Sequence, residues 1–115
     1  MVTRRSAPKA PERGDIVWLD FNPQTGREQA GRRPALVLSP KGYNQRAGLA
    51  VMVPITSRAK GYPFEVALPA GLAVQGVVLA DHVKSLDWAA RGAALAARAP
   101  PAVTEEVLAK LRLLV

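Results

Sequence analysis

Three arginines and one carboxylate crowd the segment from Gly26 to Pro34, which holds the densest set of groups that could do chemistry. They are Arg27, Glu28, Arg32 and Arg33. The planar guanidinium of arginine matches phosphate better than the ammonium of lysine does. Pro34 biases the preceding residue towards an extended backbone, so we expect the Arg33 side chain to be held at the start of a strand. By composition alone, a site and a solvated turn remain equally open interpretations of Arg27 and Glu28.

One reaction that such a segment could catalyse is the cleavage of RNA. The neighbouring 2′-hydroxyl attacks phosphorus, so the site must accept one proton, donate another to the leaving 5′ oxygen and hold a pentacoordinate dianion. RNA supplies its own nucleophile, and neither a metal nor a protein nucleophile is needed. A preorganised arginine that stabilises the dianion lowers the barrier by about 3 to 4 kcal/mol.

The chain lacks the residues that most other reaction classes require. The chain has no cysteine, which removes disulfides, thiolate nucleophiles and cysteine-based zinc sites. The one histidine, His82, taken by itself is a polar loop residue. Asp15 and Asp20 lie five residues apart on a predicted strand and therefore face opposite sides. We expect no metal and no cofactor, and neither of the glycine-rich phosphate-binding motifs occurs.

The charge of the chain points to a polyanionic partner. The formal net charge is +7. Residues 1–60 hold 11 lysines and arginines against 4 acidic residues, whereas residues 61–115 hold 5 of each, so the whole excess lies in the first half. Nucleic acid is the first candidate, and a basic surface that serves only solubility is the simpler alternative.

The length of 115 residues allows a single domain. We divide the chain into a flexible basic arm over residues 1–13 and one domain over residues 14–115. A chain this short buries a marginal share of its surface, so a second subunit would stabilise it. No apolar run is long enough for a signal peptide or a membrane helix, which together with the lack of cysteine predicts a cytoplasmic protein without membrane contact.

Short apolar runs separated by glycine and proline predict a mainly β fold. Strands are expected at residues 15–21, 35–39, 49–55, 64–68 and 76–80. The second and third should pair as a hairpin across a loop, and Trp18 in the first should belong to the core. Residues 88–98 are ambiguous. Five strands at this spacing favour a small barrel over a helix bundle.

A C-terminal helix is predicted over residues 104–114. Thr104 can cap its N-terminus, and Glu105 and Glu106 suit the positive end of the helix dipole. The apolar residues of the segment share one face at helical spacing, which should pack on the sheet: Val107, Leu108, Leu111, Leu114 and Val115.

Four longer blocks stand in one order along the chain. They are GDIVWLDFNPQTGREQAGRRPALVLSP (14–40), VPITS (53–57), GYPFEVAL (61–68) and GVVLADHVKSLDWAARG (76–92). In this order they resemble the MazF/PemK family of toxin endoribonucleases over nearly the whole chain. The resemblance implies an SH3-like small barrel of five to seven strands with a C-terminal helix, hence a mainly β (α+β) fold, and a symmetric homodimer. It also implies metal-independent cleavage of single-stranded RNA, often mRNA, at short motifs such as ACA, leaving a 2′,3′-cyclic phosphate and a 5′-hydroxyl.

The resemblance assigns catalytic roles to three residues. Arg33 in GRRP would stabilise the phosphorane and take part in proton transfer, the Thr56 hydroxyl in PITS would bond the scissile phosphate, and Glu28 in REQ would orient groups or act as base. His82 replaces the glutamine usual in the family, which bears on the cut-site preference more than on the activity. Nine residues are expected to contact RNA: Arg13, Phe21, Arg27, Gln29, Arg32, Ser57, Asp81, His82 and Lys84.

The resemblance also implies a MazE-like antitoxin, whose acidic disordered tail would compete with RNA for the basic surface. Two alternatives from other classes stay open. The first is a noncatalytic gyrase poison of the CcdB type on the same fold. Such chains lack the GxEQxGxRP loop and depend on a terminal Trp-Gly-Ile, whereas this chain ends in Leu113-Leu114-Val115. The second is a barrel that binds RNA without cutting it.

Overall fold

The computed structural model of the chain describes residues 9–21 and 32–115. Within these ranges, seven strands form one antiparallel sheet in the order β4-β5-β3-β2-β1-β7, with β6 paired to β3. The expected mainly β fold with a C-terminal helix is confirmed. Among the strands described, β4 and β7 end the sheet without pairing to each other, so the sheet is open. The elements are β1 (Asp15–Asp20), β2 (Arg32–Val37), α1 (Lys41–Ala47), β3 (Ala50–Thr56), β4 (Glu65–Ala67), β5 (Val77–Leu79), β6 (Lys84–Leu86), β7 (Ala94–Arg98) and α2 (Pro101–Arg112).

Alternation along the strands gives the sheet two apolar faces. Ile16 and Leu36 lie opposite each other in β1 and β2 and are fully buried in a cluster that includes Val107 of α2. Leu19 points to the other face, where it belongs to a second cluster with Trp88. Because successive residues of a strand point to opposite faces, the same strands supply both clusters. A shift by one residue would exchange the two sets of side chains, so burial on both sides fixes the register.

The five strands expected from the sequence correspond to β1 through β5, and the hairpin of β2 and β3 is confirmed. The expected loop between them was wrong, because that connection carries α1, which is capped at its C-terminus by Gly48 with a φ of +73°. β6 falls where no strand is expected, and β7 covers the last five of the ambiguous residues 88–98.

A buried asparagine holds α1 in place. Asn44 is fully buried, and its Nδ2 donates to the carbonyl oxygens of Pro11 at 2.8 Å and Ser39 at 3.0 Å. Its own carbonyl oxygen accepts from the indole N–H of Trp88 at 2.9 Å. These bonds to distant segments explain why residues that usually favour turns form a helix here. Pro11 is part of the expected basic arm, whose residues 1–8 lie outside the described chain.

The C-terminal helix begins at Pro101, three residues before the expected start. Proline suits a first helical position because its missing N–H would be unpaired there in any case. Thr104, expected as the cap, is instead buried within the helix. Leu114 and Val115, expected on the apolar face, are exposed because the helix ends at Arg112.

Replacement of Asn44 by alanine should lower the free energy of unfolding by about 1 to 3 kcal/mol, because it leaves buried carbonyl oxygens without donors. Urea denaturation measures the change. Gln45→Ala is the matched control on the same helix, since Gln45 is exposed and the substitution should stay within about 0.5 kcal/mol of the parent. Equal effects of the two substitutions would contradict the role given to Asn44.

Candidate active site

Two residues from separate parts of the chain, Arg33 and Thr56, lie just beyond the paired residues of β2 and β3. Ala35 pairs with Pro54, and Leu36 pairs with Val53. Arg33 precedes Ala35 by two residues and Thr56 follows Pro54 by two residues, so both lie past the last pair of this ladder. Both residues line one open groove of about 620 Å³.

Other residues of this groove, which we call the Arg33 groove, supply both charge and apolar surface. Trp18 is 40% exposed and lines the groove, so its expected place in the core was wrong. Its partner across the ladder, Pro34, also borders the groove. Such a ring offers a flat surface on which a nucleobase can stack. The groove is also lined by Arg32, Ile55, Ser57, Arg58, Val74 and Gln75.

The hydroxyl of Thr56 accepts one hydrogen bond from the protein backbone. Its Oγ1 accepts the backbone N–H of Arg58 at 3.1 Å. A hydroxyl has one proton to donate and two lone pairs. With one lone pair occupied by a donor, the O–H is polarised and better able to donate to an anion. The arrangement therefore favours Thr56 as a donor towards the groove.

A glycine packs against the backbone of Thr56. A Cβ atom added to Gly76 would lie 2.2 Å from the carbonyl oxygen of Thr56 and 3.1 Å from the Cα of Ser57. Gly76 also has a φ of +124°, which side chains with a Cβ rarely adopt. Its neighbour Val77 pairs with Thr56 across β3 and β5. Close approach of the two backbones thus fixes the end of β3, where Thr56 lies.

The three arginines of the Arg33 groove differ in their partners. Arg32 is engaged by the protein, because its guanidinium donates to Asp20 Oδ1 at 3.5 Å and to the carbonyl oxygens of Arg91 at 3.3 Å and Trp18 at 3.4 Å. Within residues 9–21 and 32–115, no carboxylate lies within salt-bridge distance of Arg33 or Arg58. Two guanidinium groups of the groove therefore lack a counter-charge in the described part of the chain.

Arg91 is a positioning residue that sequence reasoning missed. Its Nη1 donates to the carbonyl oxygens of Phe21 at 2.7 Å and Asp20 at 3.0 Å, and its own carbonyl oxygen accepts the Asp20 N–H at 2.9 Å. The same carbonyl oxygen accepts a hydrogen bond from the Arg32 guanidinium. Arg91 therefore binds both the end of β1 and the start of β2. No local pattern could have shown this, since its partners lie about 60 to 70 residues away along the chain.

Several residues expected at the site lie elsewhere in the single chain. Arg13 donates from Nε to the carbonyl oxygen of Leu38 at 2.6 Å, at the opposite end of β2 from Arg33 and roughly 17 Å away by strand rise. Phe21 packs against the cluster on the second face of the sheet. Lys84 pairs with Met52, four residues before the end of β3.

Asp81 and His82 are exposed neighbours outside the Arg33 groove, with 3.7 Å between Asp81 Oδ1 and His82 Nε2. Of the expected residues, the groove collects Arg32, Arg33, Thr56 and Ser57. Arg27, Glu28 and Gln29 lie outside the described residues.

Two features are absent from the described residues, a cluster of metal ligands and a membrane-spanning helix. Across 9–21 and 32–115, no three acidic or histidine side chains come together as metal ligands would. In the same part of the chain, neither helix has the length and apolar character needed to cross a membrane.

Comparison with known proteins finds relatives over most of the chain. Residues 12–115 match the family described as PemK-like, MazF-like toxin of type II toxin-antitoxin system. The Escherichia coli K12 endoribonuclease toxin MazF is 49% identical over 105 residues, which cover 91% of this chain and 94% of the relative. A crystal structure of MazF from Deinococcus radiodurans is 61% identical with a TM-score of 0.83, covering 91% of this chain and 96% of the other. A MazE-MazF structure from the same organism is 56% identical, covers 91% and 94%, and has a TM-score of 0.82.

Substitution of Gly76 by alanine should disturb Thr56 as well as stability. A positive φ at a residue with a Cβ costs about 1 to 3 kcal/mol, and here the Thr56 backbone must also move. Gly71→Ala is the matched control, because Gly71 has a φ of +97° but nothing within 4 Å of an added Cβ. We expect the amide NMR signals of Thr56 and Ser57 to shift in Gly76→Ala only, with the larger loss in free energy of unfolding. Equal losses with unmoved signals would show that Gly76 does not position Thr56.

Proposed function

Because the chain belongs to the family of PemK-like, MazF-like toxins of type II toxin–antitoxin systems, we propose that it is an endoribonuclease that cuts single-stranded RNA, including mRNA, and so inhibits translation and growth. The observation that carries the proposal is that Arg33 and Thr56 line one groove. The groove holds an arginine and a hydroxyl, which are the groups that a phosphodiester in transesterification requires.

The reaction that these residues fit is an internal transesterification. The 2′ oxygen forms a bond to the adjacent phosphorus while the bond from phosphorus to the 5′ oxygen breaks. The 2′ proton passes to a base, and the leaving 5′ oxygen takes up a proton, which gives a 2′,3′-cyclic phosphate and a 5′-hydroxyl. All nucleophilic chemistry comes from the RNA, so no metal ion is required.

Arg33 and Thr56 act on the charge that develops at phosphorus. A guanidinium carries five N–H donors in a fixed plane and suits two oxygens of the dianion at once. The Thr56 hydroxyl, which already accepts from the Arg58 N–H, donates to a third oxygen. Donors held in place before the reaction need no reorganisation as the charge forms. Glu28 is proposed to orient these groups or to accept the 2′ proton.

Recognition of the RNA sequence is assigned to other residues. Trp18 offers its exposed ring to a base near the scissile bond. Asp81 and His82 can read base edges, and Lys84, Arg13 and Arg27 can contact phosphates. We propose a short motif of the ACA type, with the histidine at position 82 as the feature most able to alter it.

The partners follow from the same family. Solved relatives include MazE-MazF complexes, and we propose a MazE-like antitoxin with an acidic tail for this chain. Its net charge of +7 suits such a tail. The tail and RNA would compete for the same basic surface, so inhibition would need no distant coupling. We further propose a homodimer that acts in the cytoplasm, where its RNA substrate lies.

Cleavage should depend on the guanidinium of Arg33 and on the hydroxyl of Thr56. Incubation with end-labelled single-stranded RNA in EDTA should give cuts at one short motif. Arg33→Ala and Thr56→Val should each lower kcat by about 100- to 1,000-fold, the loss typical of one preorganised donor. Thr56→Ser keeps the hydroxyl and should retain most of the rate, and Arg46→Ala on the remote α1 should leave it unchanged.

Replacing the 2′-hydroxyl at the cut site by hydrogen should stop cleavage without preventing binding. Full activity in both Arg33→Ala and Thr56→Val would show that the site is misplaced. RNA that is bound but never cut would favour the noncatalytic barrel, and absence of both binding and cutting would favour a poison of another target.

A further inference from the structure

Arg58 is the one arginine of the Arg33 groove that neither the sequence motifs nor the proposed chemistry uses. It lies two residues after Thr56, just beyond the end of β3, and is exposed. Its backbone N–H bonds to Thr56 Oγ1 at 3.1 Å. This bond ties the backbone of Arg58 to the hydroxyl proposed to contact the scissile phosphate.

The charge of Arg58 has no counterpart among the residues described. No carboxylate of residues 9–21 or 32–115 lies within salt-bridge distance of it, whereas Arg32, in the same groove, is bound to Asp20 and to two backbone carbonyls. A phosphate that pairs with Arg32 must compete with three contacts in the protein. One that pairs with Arg58 meets no such competition from the described chain.

We propose that Arg58 binds the RNA phosphate next to the scissile one, an inference that rests on the proposed function. The backbone N–H of Arg58 already reaches the Thr56 hydroxyl, and Arg58 lines the same groove. An exposed guanidinium on a backbone phosphate makes the same contact before and during the reaction. Such uniform binding changes KM and leaves kcat nearly constant.

Binding of RNA by Arg58→Ala tests the proposal directly. The probe is a fluorescein-labelled RNA of the cleaved sequence with 2′-deoxy at the cut site, titrated by anisotropy at several salt concentrations. Loss of one phosphate contact on a single strand should reduce the slope of log Kd against log salt by about 0.7 and weaken binding roughly fivefold near physiological salt. Arg58→Lys keeps the charge and should retain the parental slope.

The matched control is Arg46→Ala, which removes the same charge from an exposed site on α1, at the far end of β2 and β3. It should leave the slope at the parental value. In cleavage assays with the unmodified RNA, Arg58→Ala should raise KM about as much as Kd and change kcat less than about twofold. Thermal unfolding should be unaltered, since the Arg58 side chain makes no hydrogen bond or ion pair with the described residues.

Two results would overturn the assignment. A slope in Arg58→Ala equal to that in Arg46→Ala would show that the side chain contacts no phosphate. A fall in kcat with KM unchanged would indicate that Arg58 contacts the reacting phosphate and not its neighbour. If the parent protein bound RNA but did not cut it, the proposed function would fail, and the salt slope would still decide the role of Arg58.

Discussion

The site depends on the antiparallel register between β2 and β3. That register is held by apolar side chains on both faces: Leu36 and Val53 are buried on one side, and Ala35 and Met52 on the other. A slip by one residue would move each set of side chains into the cluster packed for the other set. Arg33 and Thr56 line one groove at the end of this ladder, so the place of both residues depends on core packing. The chemistry proposed for the groove is therefore tied to the stability of the sheet.

Two contacts outside the ladder complete this arrangement. Gly76 allows the backbone of the β5 segment to lie directly against the Thr56 carbonyl. Arg91 binds the end of β1 and the start of β2, immediately before Arg33. Neither residue needs to touch RNA for its effect, because each acts by holding a strand end. Rigid strand ends of this kind provide the preorganisation that charge stabilisation in a transition state requires.

Much of the fold could be predicted from the sequence, because alternation and turn residues report burial locally. Five strands and a hairpin follow from that pattern. The helix α1 does not, since bonds from the buried Asn44 to distant segments override the local preference for turns. Arg33 and Thr56 could be singled out by their motifs, while their convergence depends on register. The exposure of Trp18 could not be predicted from its residue type, because large aromatic side chains are usually buried and this one lines an open groove.

The most direct test of the central claim is a double-mutant cycle on the rate of RNA cleavage with Arg33→Ala and Thr56→Val. If both groups hold the same phosphate, either loss already removes most of the stabilisation, and the double variant should be little slower than the slower single variant. Single-turnover rates with one defined RNA give the comparison without product release. If the rate of the double variant instead falls by the product of the two single-variant factors, the two residues act at separate places, which contradicts this account of the groove.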